Sequence, residues 1–305
     1  MAGAAVRVKL GTRGSQLARW QAEWVQNQLA AQGVRAEIVV IKTRGDAEVD
    51  RPLHELEGKG FFTKEIEDAL LDGRIDVAVH SLKDLPTALP PGLALGAIPA
   101  RHDPREALVN GRSLSELPAG TRVGTSSLRR IAQVRFLRPD LEVVPLRGNV
   151  PTRVRKVESH EGLDAALLAI AGLERLGLGA KGSIVDPLDI MPAPGQGALG
   201  VEIRADDQAT RKALEPLHDR TSAWAVAAER ALLAALGGGC QAPVAAWVGM
   251  RDAGSGMRLY GRVTETEGAV QLTASAEIDA KRPEAAGDAV ARLLESEGAA
   301  SLLAR

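Results

Sequence analysis

Apolar positions along this chain recur with two periods that take turns from the start. Val6 to Leu10 alternates apolar and basic residues, the two-residue period of a half-buried strand. After the loop Gly11-Thr12-Arg13-Gly14-Ser15, the residues Leu17, Trp20, Trp24, Val25 and Leu29 recur at helical spacing and predict one buried helix face. Gly33 is placed to stop that helix, and Ile38 to Ile41 reads as a buried strand. The plan then returns. Thr121 to Val123 predicts a strand and Gly124-Thr125-Ser126-Ser127 a turn; a helix runs through Leu137 and stops before Pro139, and Leu141 to Leu146 predicts the next strand. Both units set Gly-Thr and further polar residues at a strand-to-helix turn, which points to two α/β lobes of like architecture.

Between these units a helix is expected from about Thr63 to Leu71, then a strand from Ile75 to Val79 that ends at His80-Ser81-Leu82-Lys83-Asp84-Leu85-Pro86. Arg44 to Gly60 is charged and flanked by glycine, the composition of a mobile loop. Met191-Pro192-Ala193-Pro194-Gly195-Gln196-Gly197 has linker composition and suggests a hinge, and Leu199 to Ile203 reads as one more strand. From about Ser222 the pattern changes to a helix, the turn Gly237-Gly238-Gly239-Cys240, three strands near Val244, Leu259 and Leu272, and a last helix from Pro283. That order describes an α+β third domain.

Composition narrows the function classes. A length of 305 residues suits two or three lobes rather than one domain. Lys+Arg 38 against Asp+Glu 39 leaves a net charge of −1, without the basic excess of a nucleic-acid or membrane-surface protein. Arg7 and Lys9 interrupt the first residues, so no secretory leader is expected there, and the apolar stretch around Ala165 to Leu173 is too short to span a bilayer. One cysteine forms no internal disulfide, which suits a reducing compartment, so the chain reads as cytoplasmic. The five histidines are scattered without paired ligand spacing, so no metal site is expected.

Three loops sit where open α/β sheets bind ligands, beyond the carboxyl ends of strands: 11–15, 80–86 and 124–127. They offer Arg13, Ser15, Thr125, Ser126 and Ser127 next to helix N-termini, an anion-receiving arrangement with neither a dinucleotide fingerprint nor a P-loop. Positive charge is densest from Arg122 to Lys156, where Asp140 and Glu142 are the only acids. Exposed arginines are ordinarily solvated surface, and Arg135 and Arg138 are read that way. Arg129 and Arg130 open a helix beside the Thr-Ser-Ser loop, and Arg147 stands in Arg-Gly-Asn at a strand end, positions that suit bidentate carboxylate recognition. Asp84 before Leu-Pro could be a simple turn residue, and a lone cysteine is usually a small buried apolar group. The three glycines before Cys240 favour instead an accessible thiol with the backbone close to a ligand. Together these features describe an enzyme that holds a small polycarboxylate in an arginine-lined cleft between two lobes and uses Cys240 covalently.

The chain resembles the porphobilinogen deaminase (hydroxymethylbilane synthase) family from about Val8 onward, most closely through Gly200. The resemblance rests on Gly-Thr-Arg-Gly-Ser at 11–15, Gly-Lys-Gly-Phe-Phe-Thr-Lys-Glu at 58–65, His-Ser-Leu-Lys-Asp-Leu-Pro at 80–86 and Gly-Thr-Ser-Ser-Leu-Arg-Arg at 124–130. Leu-Arg-Gly-Asn-Val at 146–150, Pro192 to Gly197, and Gly-Gly-Cys-Gln at 238–241 continue the series in order. The resemblance implies two lobes like those of periplasmic binding proteins plus a small α+β C-terminal domain. Domain 1 is expected at 1–98 and 198–216, domain 2 at 103–192, and domain 3, bearing the cysteine, at 220–305. It implies a transferase that condenses four porphobilinogen molecules head to tail with loss of ammonia, giving hydroxymethylbilane for haem synthesis. It implies further a dipyrromethane cofactor joined by a thioether to Cys240 and held by Lys83, Asp84, Thr125, Ser126, Ser127, Arg129 and Arg130. Incoming substrate would be held by Arg13, Ser15, Arg147, Arg153 and Arg175. The residues agree: each substrate brings acetate and propionate groups that call for arginines. Loss of ammonia leaves a methylene-pyrrole cation that the Asp84 carboxylate can stabilise while relaying protons. A monomer working on porphobilinogen alone is expected, without nucleic acid or membrane. The competing reading, a two-lobed anion-binding sensor without catalysis, leaves Cys240 and Asp84 idle; a nucleic-acid binder has too few aromatics for stacking, at 3%.

Overall fold

A computed structural model describes residues 7–43, 63–238, 242–250 and 256–303. The expected loop at 44–60, the motif residues 58–62 and Cys240 lie outside the described residues. The chain divides into two units: one contains Leu56–Arg101, Ala198–Ala223 and the residues before Arg51, the other His102–Gly197 and Trp224–Arg305.

In the first unit, β1 (Arg7–Thr12) leads through the loop into α1 (Gln16–Ala31) and returns as β2 (Arg35–Val40). Ser15 starts α1 by accepting the Ala18 N–H at 3.2 Å, and Gly33, at φ 75°, turns the chain out of it. The buried stripe is Ala18, Gln21, Ala22, Val25 and Leu29, rotated from the expected Leu17, Trp20, Trp24, Val25 and Leu29. The alanines let the helix approach the sheet closely, and Trp24 packs on the rim of the core they form. The second strand also differs from expectation. It is half-exposed because it is an edge strand, paired only with β1.

α2 (Lys64–Leu71), β3 (Val77–Ser81), β4 (Leu93–Ala97), and then β5 (Glu106–Val109) of the second unit follow in chain order. That second unit continues with β6 (Arg122–Gly124), α3 (Leu128–Leu137), β7 (Glu142–Val144), α4 (Val150–Glu158), β8 (Ala165–Ala169), α5 (Ile170–Arg175) and β9 (Gly182–Ile184). The chain then re-enters the first unit as β10 (Leu199–Arg204), followed by α6 (Gln208–Leu214). The two sheets run β2-β1-β3-β10-β4 and β7-β6-β8-β5-β9. In each, three parallel strands are flanked by an antiparallel one that pairs with a further edge strand. The echo between the two Gly-Thr turns thus reflects a repeated sheet plan. β7 is shorter than the expected Leu141 to Leu146 because the Ser126 side chain takes both the N–H and the carbonyl of Leu146, each at 3.0 Å.

The rest of the second unit is α7 (Arg220–Ala235) from Trp224 onward, the antiparallel sheet β11 (Val244–Met250), β12 (Met257–Thr264) and β13 (Gln271–Glu277), then α8 (Glu284–Ser296) and the short α9 (Ala299–Leu303). One face of this sheet packs Val244, Ala246, Leu259 and Val263 against Leu232 of α7 and Val290 and Leu294 of α8. From the other face Arg262, 6% exposed, donates to Gln133 Oε1 at 3.0 Å and to the carbonyls of Leu188 and Asp189. The residues 191–197, linker-like in composition, are mostly buried and pinned. Gly195 N–H donates to Glu229 at 2.7 Å, and Gln196 donates to the Pro104 carbonyl at 2.8 Å. Gly197, at φ 84°, is required: a Cβ there would lie 2.6 Å from the His102 carbonyl oxygen.

Candidate active site

β1 and β3 are neighbours and parallel, so the loops that leave their carboxyl ends open side by side. Arg13, Ser15, Gln21, His80, Ser81 and Asp84 line one hollow there. Ser15 uses an oxygen lone pair to cap α1. Gln21 donates to Ser81 Oγ at 2.9 Å and so ties α1 to the end of β3. Lys83 and Asp84 lie in one 3-10 turn, Leu82–Asp84. Leu82 and Leu85, 0% and 3% exposed, anchor that turn on both sides and leave Asp84 partly exposed at the hollow.

The second unit carries the arginine set. Thr125 is buried; its N–H donates to the Val144 carbonyl, and its Oγ1 accepts the Ser127 N–H at 3.3 Å. Ser126 is committed to Leu146, while Ser127 occupies the N-cap position of α3 without a side-chain capping bond. Arg129 and Arg130 are 5% and 6% exposed and share the carboxylate of Glu106, each at 2.7 Å. Arg129 also donates to the Met191 carbonyl at 2.5 Å, and Arg130 to that of Leu167 at 3.0 Å. Burial pushes Arg129 below the ordinary arginine value, against the pull of Glu106. Much of the donor capacity expected to face a ligand is therefore engaged inside the protein. Arg130 Nε is the exception, buried without a hydrogen-bond partner among the described residues.

Arg147 is half-buried after β7, and Arg153 in α4 donates through Nε to the Gly148 carbonyl at 2.7 Å. Asn149 caps α4 by accepting the Thr152 N–H at 3.0 Å. Gly148, at φ 109°, permits this turn, since a Cβ would meet the Thr152 methyl at 2.8 Å. Arg175 ends α5, 6% exposed, and donates to the Gly197 carbonyl at 2.7 Å. Burial brings its pKa down to about 10, and burial together with Arg175 keeps His102 below the ordinary imidazole value. Arg138, read as surface, in fact ties the carbonyls of Leu114 and Leu117 to Asp140.

Sequence reasoning passed over Glu106, His80 and Glu202. Glu106 heads the otherwise apolar Glu-Ala-Leu-Val, and that contrast was the one available signal. Removing one partner of a buried pair leaves an uncompensated charge, so Glu106→Gln is expected to cost about 3–5 kcal/mol. Glu161→Gln, which breaks an exposed, solvent-screened pair with Arg155, should leave the midpoint nearly unchanged. Thermal denaturation of both variants would separate these outcomes, and equal midpoints would remove the clamp from the account. Among the described residues no helix is long and apolar enough to cross a membrane, and no group of three or more His, Cys, Asp or Glu is placed to hold a metal.

A family model described as "Porphobilinogen deaminase, dipyromethane cofactor binding domain" matches residues 8–212, and "Porphobilinogen deaminase, C-terminal domain" matches 223–296. Porphobilinogen deaminase of Syntrophotalea carbinolica is 48% identical over 97% of this chain and 95% of its own length. That of Moorella thermoacetica is 49% identical over 98% and 96%. Among solved structures, lipoprotein Tp32 from Treponema pallidum is similar with a TM-score of 0.44 and 14% identity, covering 70% of this chain and 91% of its own.

Proposed function

The chain belongs to the porphobilinogen deaminase family, and on that premise we propose how its residues divide the family's reaction. It is a transferase that joins porphobilinogen units head to tail, with release of ammonia, into hydroxymethylbilane in tetrapyrrole biosynthesis. Dipyrromethane, two pyrroles carrying acetate and propionate, supplies the primer on which the chain grows. The residues present suit such a group. Arg129, Arg130 and Glu106 together carry an excess positive charge, and the buried Arg130 Nε–H has no acceptor among the described residues.

In our assignment Cys240 bears the primer, and Lys83, Thr125, Ser126, Ser127, Arg129 and Arg130 hold its carboxylates. Ser126 and Thr125 act mainly by fixing the turn, because their oxygens are already bonded within it. Arg13, Ser15, Arg147, Arg153 and Arg175 hold the substrate side chains. Asp84 faces the methylene-pyrrole cation formed when ammonia leaves porphobilinogen, stabilising it by charge and taking the proton lost on C–C bond formation. What supports this role is one observation: the Asp84 carboxylate shares a hollow with Arg13 and Ser15, so a cation and a substrate carboxylate find partners in one place. We assign the three functional domains to 1–98 with 198–216, 103–192 and 220–305, and the working form to a cytoplasmic monomer, where reducing conditions keep a single cysteine reactive.

The purified protein mixed with porphobilinogen is expected to release four ammonia molecules per tetrapyrrole formed. Saturable porphobilinogen binding with no ammonia would instead support the anion sensor.

A further inference from the structure

Three ionisable side chains gather beneath α2, apart from the arginine set. His80 on β3 lines the hollow that holds Asp84 and Arg13. Its Nε2 lies 3.1 Å from Glu202 Oε2 on β10, with the two side chains 3% and 0% exposed. The strand register brings them together: Gly200 pairs with His80, and Glu202, two residues on, projects from the same face of the sheet. α2 covers that face with Ile66, Leu70 and the buried Glu67. Glu202 Oε1 and Glu67 Oε1 have no hydrogen-bond partner among the described residues. Burial above all, with the charge of Glu202 adding to it, holds Glu67 above the ordinary carboxylate range.

Two buried carboxyls beside one imidazole cannot all be ionised without leaving a charge unpaired in a dry interior. Nε2 is engaged with the Glu202 carboxylate, which leaves Nδ1 as the other ring nitrogen of a side chain that lines the hollow. We propose that Glu202, backed by Glu67, positions His80 as the proton-holding neighbour of Asp84, so that His80 acts through Asp84 in each round of chain growth. The inference rests on the assignment of Asp84 above. The C–N bond of the substrate ammonium breaks with its electron pair on nitrogen, and a C–C bond forms from the pyrrole α-carbon. The C–H pair restores the ring, and the proton passes to Asp84 and then to His80. Ammonia and that proton leave together as ammonium.

The test compares the holoenzyme with His80→Gln, Glu202→Gln and Glu67→Gln, each first shown by intact mass and melting to be primed and folded. With positioning intact but proton holding lost, kcat of His80→Gln should fall about 100-fold, with KM for porphobilinogen little changed. The acid limb of its kcat–pH profile should vanish, and Glu202→Gln, which keeps an acceptor for Nε2–H but not the charge, should displace that limb. In ¹⁵N-histidine spectra of the wild type, Nε2 should carry the proton. A wild-type pH profile in the folded His80 or Glu202 variants, or protonation at Nδ1 alone, overturns the proposal and leaves the Asp84 assignment standing. Full turnover by Asp84→Asn would instead remove that assignment, and this proposal with it. Should His80→Gln fail to fold, the wild-type spectrum and Glu202→Gln decide.

Discussion

Cys240→Ala is expected to purify at its bare sequence mass and to form no hydroxymethylbilane, although every arginine remains in place. Wild-type protein should carry one constant adduct of dipyrromethane mass. A brief exposure to porphobilinogen should add a ladder of heavier species, each one pyrrole unit apart. A primer that stays on the enzyme while product departs needs a bond that thiol reductants do not cleave; a thioether meets that need and a disulfide does not. The adduct should therefore survive dithiothreitol. An active Cys240→Ala enzyme, or wild-type protein that turns over at its bare mass, would rule out covalent priming.

Asp84→Asn should behave differently, keeping the adduct while losing turnover. The amide preserves shape and hydrogen bonding in the Leu82–Asp84 turn, whose hold on the fold comes from Leu82 and Leu85. What it removes is the charge opposite the developing cation, for which a loss of roughly 10²–10³ in kcat is expected. Quenched-flow mass spectra should show substrate arriving and the ladder stalling at its first rung. Near-normal product formation would take Asp84 out of the chemistry.

The strand-end loops of the candidate site were legible because local pattern is strong there. The Gly-Thr turns, the helix stops at Gly33 and Pro139, and the loops carrying Arg13, Asp84 and Ser126 follow from short-range rules of capping and period. What escaped depends on partners far apart in the chain. Glu202 lies 122 residues from His80, and Glu106 lies 23 and 24 from the arginines it clamps. An acid at the head of a strand looks like any solvated surface residue until the sheet order is known. The rotated face of α1 escaped for another reason: tryptophans dominate a hydrophobic pattern, but alanines permit the closer approach to a sheet. The linker-like stretch 191–197 ends where the chain passes from the second unit back to the first, and its prolines and glycines also serve tight burial.

The order β2-β1-β3-β10-β4 has a consequence for the chain as it is synthesised. β10 fills the gap between β3 and β4, yet it leaves the ribosome only after residues 98–198 have emerged. Until then β3 and β4 each present an edge of unpaired backbone N–H and C=O groups on an apolar strand, the kind of surface that recruits other nascent chains. The other five-stranded sheet is encoded within one continuous stretch, His102–Gly197, and can close first. The nascent protein thus finishes its later-encoded sheet before its earlier one, against the usual amino-to-carboxyl order. A chain released at residue 198 could complete one sheet, while the other, with half of the His80 pair, would lack the strand that joins β3 to β4.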